Sequence, residues 1–257
     1  MVARLRARFR CYAELNDFLP AARRQREFEA SFVADASLKH IIESLGVPHT
    51  EVDLILRNGN AVAFEARLAE GDRVSIYPVF EALDIGPLQR LRAAPLRESR
   101  FIADAHLGGL ARLLRMAGFD TLYRNDYADD KVLALALAEQ RIVLTRDREL
   151  LKRRELERAC YVHALKPMAQ LEEVLARLNL GAAMSPLSRC LACNLLLTPI
   201  AREAVAHRVP DGVCERHQHF ASCRNCGSIL WEGSHFRRMQ MLMTALRANL
   251  ARAAGQA

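Results

Sequence analysis

Residues 100–130, RFIADAHLGGLARLLRMAGFDTLYRNDYADD, decide the fold because the hydrophobic pattern changes here from alternation to helical spacing. The segment predicts a strand over Arg100–Asp104, a helix over Leu107–Ala117 that ends at Gly118, and a strand over Asp120–Tyr123. Strands that alternate with helices predict a parallel sheet with flanking helices, an α/β fold. The following elements are predicted as a helix over Asp129–Gln140, a strand over Ile142–Thr145, a helix over Arg148–Arg158, a strand over Cys160–Ala164 and a helix over Met168–Leu178.

Four carboxylates are predicted at the carboxyl edge of this sheet, where ligands and catalytic groups gather. Asp104 ends the first strand, Asp147 follows the third, and Asp129 and Asp130 open the helix between the second and third strands. Carboxylates that converge without partners repel one another, so such a cluster commonly holds a divalent cation. Oxygen ligands favour magnesium or manganese, and an ion held in this way would activate water for phosphodiester hydrolysis.

Each carboxylate taken alone has a simpler interpretation. Asp129 could cap its helix, and Asp104 or Asp147 could accept backbone amides in a turn. The three placements together favour catalysis. Within the adjacent pair we prefer Asp129, because Asp130 could point outward, and Asp126 is a weaker fourth candidate.

Three arginines lie near these acids. Arg112 and Arg115 are three residues apart in the first helix and are predicted to share a face, and Arg146 precedes Asp147. We expect some of them to contact substrate phosphate, because the guanidinium group binds phosphate in a bidentate fork. A solvated helix face explains the pattern equally well.

Two Cys-x-x-Cys pairs follow, and this paired spacing is a specific signal for a structural zinc site. Cys190 and Cys193 form the first pair, and Cys223 and Cys226 form the second. Four protein thiolates leave the metal no open position for catalysis. Neighbouring residues that could replace a thiolate are Cys214, His207, His217 and His219.

The N-terminal region has the alternation of half-buried strands. Arg4–Cys11 places Leu5, Ala7, Phe9 and Cys11 on one face and four arginines on the other, so those arginines are predicted to face solvent.

The order of elements predicts a β-grasp domain. After the first strand we predict a strand over 28–32, a helix from Leu38 to Leu45 with Ser37 as cap and Gly46 as stop, a strand over Val52–Arg57, a turn at Asn58-Gly59, a strand over Ala61–Phe64, a turn at Gly71-Asp72 and a strand over Val74–Val79.

Residues 68–83, LAEGDRVSIYPVFEAL, resemble the carboxy-terminal end of ubiquitin-like sulfur carriers. Those carriers react through a terminal Gly-Gly, whereas here the chain continues into another domain. The resemblance therefore implies the fold without the conjugation chemistry. We expect this domain to dock a protein partner, to contact substrate or to act as a scaffold.

Residues 100–130, together with ALAEQRIVLTRDREL (136–150), RCLACN (189–194) and CRNCGSILWEGSH (223–235), resemble the Mut-seven C-terminal RNase family, a branch of the PIN-like nucleases. The resemblance implies metal-dependent cleavage of RNA. It assigns the metal-binding catalytic acids to Asp104, to Asp129 or its neighbour Asp130, and to Asp147. The predicted domains are a ubiquitin-like β-grasp domain (1–82), a linker (83–99), a PIN-like RNase domain (100–180), a zinc ribbon (186–240) and a C-terminal helix and tail (241–257).

Composition is consistent with this interpretation. The net charge is +7, and residues 181–257 alone carry nine basic and four acidic groups. Such a balance favours an anionic partner, here RNA. The longest apolar runs are far shorter than the ~20 residues of a membrane span, so no membrane association is expected. Seven cysteines without a secretory signal predict metal ligands or buried thiols in the cytoplasm.

Two other functions remain open from sequence. One is a non-catalytic RNA-binding or adaptor protein that uses the zinc ribbon and the β-grasp domain. The other is a phosphoacceptor regulator, whose sheet also gathers acids at strand ends. That chemistry needs a lysine after a late strand, and Lys166 is a loose match.

Overall fold

The computed structural model describes residues 4–78 and 99–254, which divide into two compact units. The first unit is the N-terminal region together with Thr145–Tyr161, and the second is Ser99–Leu144 together with the chain from Val162 onward. The predicted end of the β-grasp domain, almost all of the predicted linker and the last residues of the tail lie outside the described residues. No helix within the described ranges is long and apolar enough to cross a membrane.

The N-terminal sheet has the order β2-β1-β5-β3-β4. Its central strands β1 and β5 are parallel, and its other neighbouring strands are antiparallel. This topology confirms the predicted β-grasp fold. The elements are β1 (Arg4–Cys11), β2 (Phe28–Val33), α1 (Leu38–Ser44), β3 (Val52–Arg57), β4 (Asn60–Ala61) and β5 (Arg73–Pro78).

The alternation of β1 is confirmed. Ala7, Phe9 and Cys11 are buried, whereas Arg6 and Arg8 are exposed. The Arg6 and Arg8 side chains pair with glutamates of the neighbouring strand region at 3.3 and 3.5 Å. These arginines therefore belong to the outer face of a sheet, and their charge is balanced locally.

The predicted limits of α1 are also confirmed. The Ser37 hydroxyl oxygen accepts a hydrogen bond from the amide of His40 at 3.3 Å, and Gly46 has a φ of 101°. The predicted strand over Ala61–Phe64 is wrong beyond β4. The carbonyls of Phe64 and Ala66 accept hydrogen bonds from the amides of Lys39 and Leu38, both at 3.0 Å. The chain leaves the sheet because its carbonyls satisfy the first amides of α1.

The segment Thr145–Tyr161 belongs to the same unit as the β-grasp domain. It contains α4 (Arg148–Leu151) and β9 (Ala159–Tyr161). The predicted helix over Arg148–Arg158 is therefore too long. The carbonyl of Leu151 accepts a hydrogen bond from the Thr50 hydroxyl at 3.3 Å, and that of Arg154 accepts one from the Lys39 ammonium at 3.4 Å. A continued helix would need these carbonyls for its own ladder.

The end of this segment is tied to the β-grasp domain by a buried carboxylate. Glu51, which is 1% exposed, accepts a hydrogen bond from the amide of Tyr161 at 2.6 Å. The Tyr161 ring packs edge-on against Phe18 at 5.4 Å, and the Arg148 guanidinium lies over both rings. His49 adds a hydrogen bond to the carbonyl of Leu156 at 2.9 Å.

The second unit contains a parallel sheet with flanking helices, as the sequence predicts. Strand β6 lies between β7 and β8 and is parallel to both, with Phe101 opposite Thr121 and Ala103 opposite Leu144. The elements are β6 (Phe101–Ala103), α2 (Gly108–Met116), β7 (Thr121–Leu122), α3 (Asp129–Glu139), β8 (Ile142–Thr145) and α5 (Pro167–Arg177). The core is formed by Phe101, Ile102, Leu110, Leu114, Val132, Val143, Leu171 and Val174.

Helix α2 starts one residue later than predicted, after a single 3-10 turn at Ala105–Leu107. Its first two residues are glycines because other side chains approach the backbone closely. A Cβ at Gly108 would lie 2.5 Å from the Tyr123 hydroxyl, and one at Gly109 would lie 2.6 Å from Pro167. A larger residue at either position would require Tyr123 or Pro167 to shift.

The C-terminal part of this unit is a ribbon followed by a long helix. Strands β10 (Thr198–Ile200), β11 (Phe220–Ser222) and β12 (Ile229–Trp231) form an antiparallel sheet, with short helices α6 (Arg202–Val205) and α7 (Val213–Arg216) before β11. Helix α8 (Ser234–Ala254) continues across residues 240 and 241, where the sequence predicted a boundary. Met239, Met243 and Leu246 are buried, whereas Leu242 is 41% exposed.

We predict that Glu51→Ala lowers the free energy of unfolding by about 1–3 kcal/mol, because the partly buried Tyr161 amide loses its acceptor. Urea unfolding of the full chain, monitored by circular dichroism, measures this change. Glu65→Ala is the matched control, because Glu65 is exposed in the same unit. Equal stability of the Glu51→Ala variant and the parent chain would show that this hydrogen bond does not secure the segment.

Candidate functional site

Asp104 occupies the residue directly after β6 and is 6% exposed. Its amide donates to the carbonyl of Leu144 at 3.0 Å, which extends the pairing of β6 with β8 by one residue. Its carboxylate accepts the amide of Ala105 at 2.5 Å and caps the 3-10 turn that precedes α2. The backbone therefore fixes Asp104 at the end of the strand.

Asp129 and Asp130 are the first two residues of α3, and both are exposed. The N-cap of this helix is Ala128, which offers no side-chain cap. The capping interpretation of Asp129 is therefore wrong. Two carboxylates in the first turn still interact favourably with the positive end of the helix dipole.

Asp147 follows β8 by two residues and is the N-cap of α4. Its carboxylate accepts the amide of Glu149 at 2.7 Å, and its own amide donates to the Thr145 hydroxyl at 2.9 Å. The side chain is exposed. Asp104 and Asp147 thus both have local capping roles, which asparagine could fill equally well.

Metal-ligand groups are compact at one place in the described residues. Among the described residues, one group of three or more Cys, His, Asp or Glu side chains could hold a metal ion. It consists of Cys190, Cys193, Cys223 and Cys226, whose ligand atoms all lie within 4.8 Å of one another. The four acids do not form such a group in the described structure. Their assembly around a cation stays a prediction.

The three arginines differ in environment. Arg112 is exposed, Arg146 is half-buried and Arg115 is buried. Arg112 and Arg115 are both near the turn that contains Leu191 and Ala192, although they differ in burial. The Arg115 guanidinium donates to the carbonyls of Thr121, Leu191 and Ala192 at 2.9–3.0 Å. Burial lowers the pKa of Arg115. The structure thus gives Arg115 a positioning role between α2 and the first cysteine pair.

The two cysteine pairs lie in turns of the same form. The amide of Asn194 donates to the carbonyl of Cys190, and the amide of Gly227 donates to that of Cys223, both at 2.9 Å. The residue after each pair has a left-handed backbone conformation, with φ of 67° at Asn194 and 69° at Gly227. Two such turns facing each other supply four sulfur ligands.

The sulfur positions fit zinc. The Sγ atoms of Cys190 and Cys226 are 3.6 Å apart, and all four lie within 4.8 Å of one another. Zn–S bonds of about 2.3 Å place the sulfurs of a tetrahedral site about 3.8 Å apart. The cluster can therefore bind zinc with every position taken by protein, which makes it a structural site.

Cys214 lies outside this cluster. It packs against the small ribbon core of Val205, Val213 and Phe220, which Trp231 also covers. Its Sγ faces the carbonyl of Arg202 at 3.9 Å. Neither Cys214 nor the histidines His207, His217 and His219 belong to the ligand group of the described residues.

Hydrogen bonding and burial shift the pKa values of two of these thiols in opposite directions. Hydrogen bonds from the Ser228 hydroxyl and amide lower the pKa of Cys226 to about 6. Burial raises the pKa of Cys190 to about 11. Of these two thiols, Cys226 therefore provides a thiolate more readily.

The first cysteine turn is joined to the sheet by Asn194, a residue that sequence reasoning missed. Its side-chain oxygen accepts the amide of Thr121 in β7 at 2.9 Å, and its Nδ2 donates to Asp120 at 2.8 Å. Because β7 is an edge strand, Asn194 satisfies an amide that no neighbouring strand pairs. The sequence signal was available, because asparagine tolerates the left-handed position that ends such a turn.

Two arginine side chains lie close to the Asp120 carboxylate, which also binds Asn194. Arg141, which is 6% exposed, donates to Asp120 at 2.6 Å and to the carbonyl of Phe101 at 3.1 Å. Arg189 lies 4.0 Å from Asp120 and donates to the carbonyls of Gly118 and Asn194. Burial alone would raise the pKa of Asp120, but the hydrogen bonds from Arg141 and Asn194 outweigh it, and the pKa is lowered.

The fold and the site together define a class: a β-grasp domain followed by an α/β domain with a four-cysteine ribbon. The Mut7-C RNAse domain family matches residues 99–243, more than half of the chain, so the protein belongs to this family. The Mut7-C ubiquitin family matches residues 5–84, in agreement with the β-grasp fold.

Other comparisons add little. No curated protein matches the chain. Among solved structures, small archaeal modifier protein 1 of H. volcanii is similar at 20% identity and a TM-score of 0.24, over 29% of this chain and 97% of that protein.

We predict that the purified chain contains zinc and that Cys193→Ser loses it, because three thiolates leave the tetrahedral site incomplete. Elemental analysis measures the zinc content. Cys214→Ser is the matched control and should keep zinc, since this thiol lies outside the cluster. Equal zinc loss in both variants, or a parent chain without zinc, would contradict the assignment.

We predict that Asn194→Gly lowers the free energy of unfolding by about 1–3 kcal/mol, because the Thr121 amide and the Asp120 carboxylate both lose a partner. Glycine accepts the left-handed backbone, so the change isolates the side chain. Chemical unfolding, with zinc content measured in parallel, tests this. An unchanged unfolding midpoint with zinc retained would show that the asparagine is dispensable.

Proposed function

We propose that this protein is a metal-dependent ribonuclease that hydrolyses RNA phosphodiester bonds. The observation that carries the proposal is the match of residues 99–243 to the Mut7-C RNAse domain. A nuclease of this family is expected to act on RNA, and the net charge of +7 suits an anionic substrate.

We assign the catalytic carboxylates to Asp104, Asp147 and Asp129, with Asp130 as the alternative to Asp129. Support for this assignment comes from the strands that precede the acids. Strands β6 and β8 are parallel with Ala103 opposite Leu144, so the chain leaves both strands at the same end of the sheet. Asp104 follows the first of these strands directly, and Asp147 follows the second after two residues.

These carboxylates would hold magnesium or manganese through their oxygens. Such an ion, when bound, lowers the pKa of a coordinated water and neutralises charge on the phosphate. The burial of Asp104 supports this role, because an ionised carboxylate with little water around it gains strongly from a cation. Arg146 is proposed to bind a phosphate beside the cleaved bond, and Arg112 is proposed to bind a phosphate elsewhere on the RNA.

The β-grasp domain has a positioning role in this proposal. It supplies Thr50, His49 and Glu51, whose hydrogen bonds reach the carbonyls of Leu151 and Leu156 and the amide of Tyr161. These contacts follow Asp147 within the same chain segment and fix the turn that presents it. Its outer surface could in addition bind a protein partner.

The reducing environment that free thiols require leads us to place the protein in the cytoplasm. All seven cysteines are free thiols in the structure, and four of them form the ligand cluster. Thiolate metal sites of this kind persist where disulfides do not form.

One observation favours a second candidate, a non-catalytic RNA-binding protein. Asp104 and Asp147 both accept backbone amides as caps, so their presence has a structural explanation without catalysis. In this case the ribbon would supply the RNA contacts, and RNA would bind without cleavage in magnesium or manganese.

We predict that Asp104→Asn and Asp147→Asn each reduce RNA cleavage by at least about 100-fold, because each removes a charged metal ligand from the catalytic group. Asparagine keeps the cap, so folding is preserved. A gel assay on total RNA with magnesium or manganese measures the rate.

The matched control for this assay is Asp126→Asn. Asp126, the weaker fourth candidate from the sequence, is left out of the proposed site because its carboxylate is already held by two nitrogens of Arg124 at 2.7 and 2.9 Å. This variant should cleave RNA at the parent rate. If the Asp104 and Asp147 variants also cleave at the parent rate, the assignment of the acids fails.

A further inference from the structure

A cleft of about 340 Å³ lies within the second unit. The residues that line it do not include those that directly follow β6 and β8. Helix α2, the first cysteine turn, β12 and the start of α8 line it. Its volume is at the lower end of the range of small-molecule sites, about 300–1,000 Å³. A single aromatic ring system with a small polar group fits this size.

The walls of the cleft are apolar. Most of the lining surface is apolar, and the residues that form it include Leu187, Leu197, Ile229, Leu230 and Met239. Several of these residues are half-buried, so they present hydrophobic area without closing the space. None of the described lining residues is Asp or Glu. A cleft of this kind favours the flat face of a ring over a charged or strongly hydrated group.

Cationic and donor groups stand beside this apolar surface. Arg112 and His235 line the cleft and are both exposed. Within residues 4–78 and 99–254, neither side chain has a hydrogen bond or an ion pair. Arg189 also lines the cleft, but its guanidinium already donates to the carbonyls of Gly118 and Asn194. Arg112 therefore has a whole guanidinium fork available to an anion.

We propose that this cleft binds one nucleotide of single-stranded RNA, with the base between the apolar walls and the adjacent phosphate on Arg112. An apolar occupant would leave Arg112 unused, and a bare anion would leave the walls unused. A nucleotide joins both features, because its base has an apolar face and its phosphate matches the guanidinium fork. The excess of nine basic over four acidic groups in residues 181–257 favours the same occupant.

This inference rests on the proposed ribonuclease function and adds a substrate-binding site to it. The turn that contains Cys190 forms part of the cleft, so the shape of the cleft is expected to depend on the zinc cluster. A nucleotide held here would anchor a single-stranded segment on the domain that carries Asp104. Loss of the contact is therefore expected to raise KM and to leave kcat nearly unchanged.

The test is a binding experiment on the zinc-loaded full chain without added magnesium or manganese, so that RNA stays intact. The probe is a fluorescein-labelled single-stranded RNA of about 12 nucleotides, followed by anisotropy. We expect Arg112→Glu to weaken binding at least about tenfold and Arg112→Lys to restore part of it. The slope of log affinity against log salt should fall by about 0.7 in the glutamate variant.

The matched control is Arg238→Glu, which makes the same charge change at an exposed arginine of α8 outside the cleft. It should weaken binding far less than Arg112→Glu. Equal weakening by both variants would mean that only net charge matters and would overturn the proposal.

A second variant tests the apolar walls. Ala192 is exposed and lines the cleft, so Ala192→Trp should fill the space while its carbonyl still accepts from Arg115. We expect weaker RNA binding with zinc content unchanged. AMP should compete with the RNA, whereas inorganic phosphate at equal ionic strength should not. Full binding by Ala192→Trp, or equal competition by phosphate, would contradict a base in the cleft.

The outcomes separate the two proposals. If the parent chain binds RNA through Arg112 but cleaves none with magnesium or manganese, the ribonuclease proposal fails and the nucleotide site stands. If the parent chain cleaves RNA and Arg112→Glu binds it as well as the parent does, the nucleotide site fails alone. Displacement of the RNA by a short apolar peptide, but not by AMP, would assign the cleft to a protein partner.

Discussion

The side chain of Asn194 is the interaction on which the second unit depends. It completes the exposed edge of β7 through the Thr121 amide and at the same time binds Asp120, which holds the buried Arg141. On the other side of the same turn, Cys190 and Cys193 contribute half of the sulfur cluster. One residue thus couples the edge of a sheet, a buried ion pair and a metal-binding turn. Loss of the Asn194 side chain would leave both the Thr121 amide and the Asp120 carboxylate without this partner.

The same coupling explains the position of Arg115. Its burial would be costly for an unpaired cation, yet its guanidinium is surrounded by the carbonyls of Thr121, Leu191 and Ala192. Helix α2 therefore reaches the cysteine turn through Arg115 and leaves Arg112, one turn earlier, exposed beside the cleft. Two arginines on one short helix differ in their surroundings, because Arg115 is buried against backbone carbonyls and Arg112 is exposed at the cleft.

Sequence patterns predicted the elements that local chemistry determines. The bounds of β1, β3 and β8 were correct, since alternation or a short apolar run and flanking turns specify them. The four cysteines were identified by spacing alone. Two errors, the long helix after Arg148 and the strand over Ala61–Phe64, came from hydrogen bonds to residues distant in sequence. The sequence could place Asn194 at the end of a turn, but it could not identify the partners of Arg115 and Asn194 that lie about 70 to 80 residues away. The acids at the strand ends remain a prediction, supported by topology.

The central claim is that the carboxylates after β6 and β8 hold a divalent ion that drives RNA hydrolysis. The most direct measurement is a manganese titration of the zinc-loaded chain, in which bound manganese is counted by electron paramagnetic resonance and RNA cleavage is followed in the same samples. We expect binding and cleavage to rise over the same manganese range in the parent chain and to be lost together in Asp104→Asn. Cleavage that persists in this variant, or a parent chain that cleaves RNA without binding manganese or magnesium, would contradict the account.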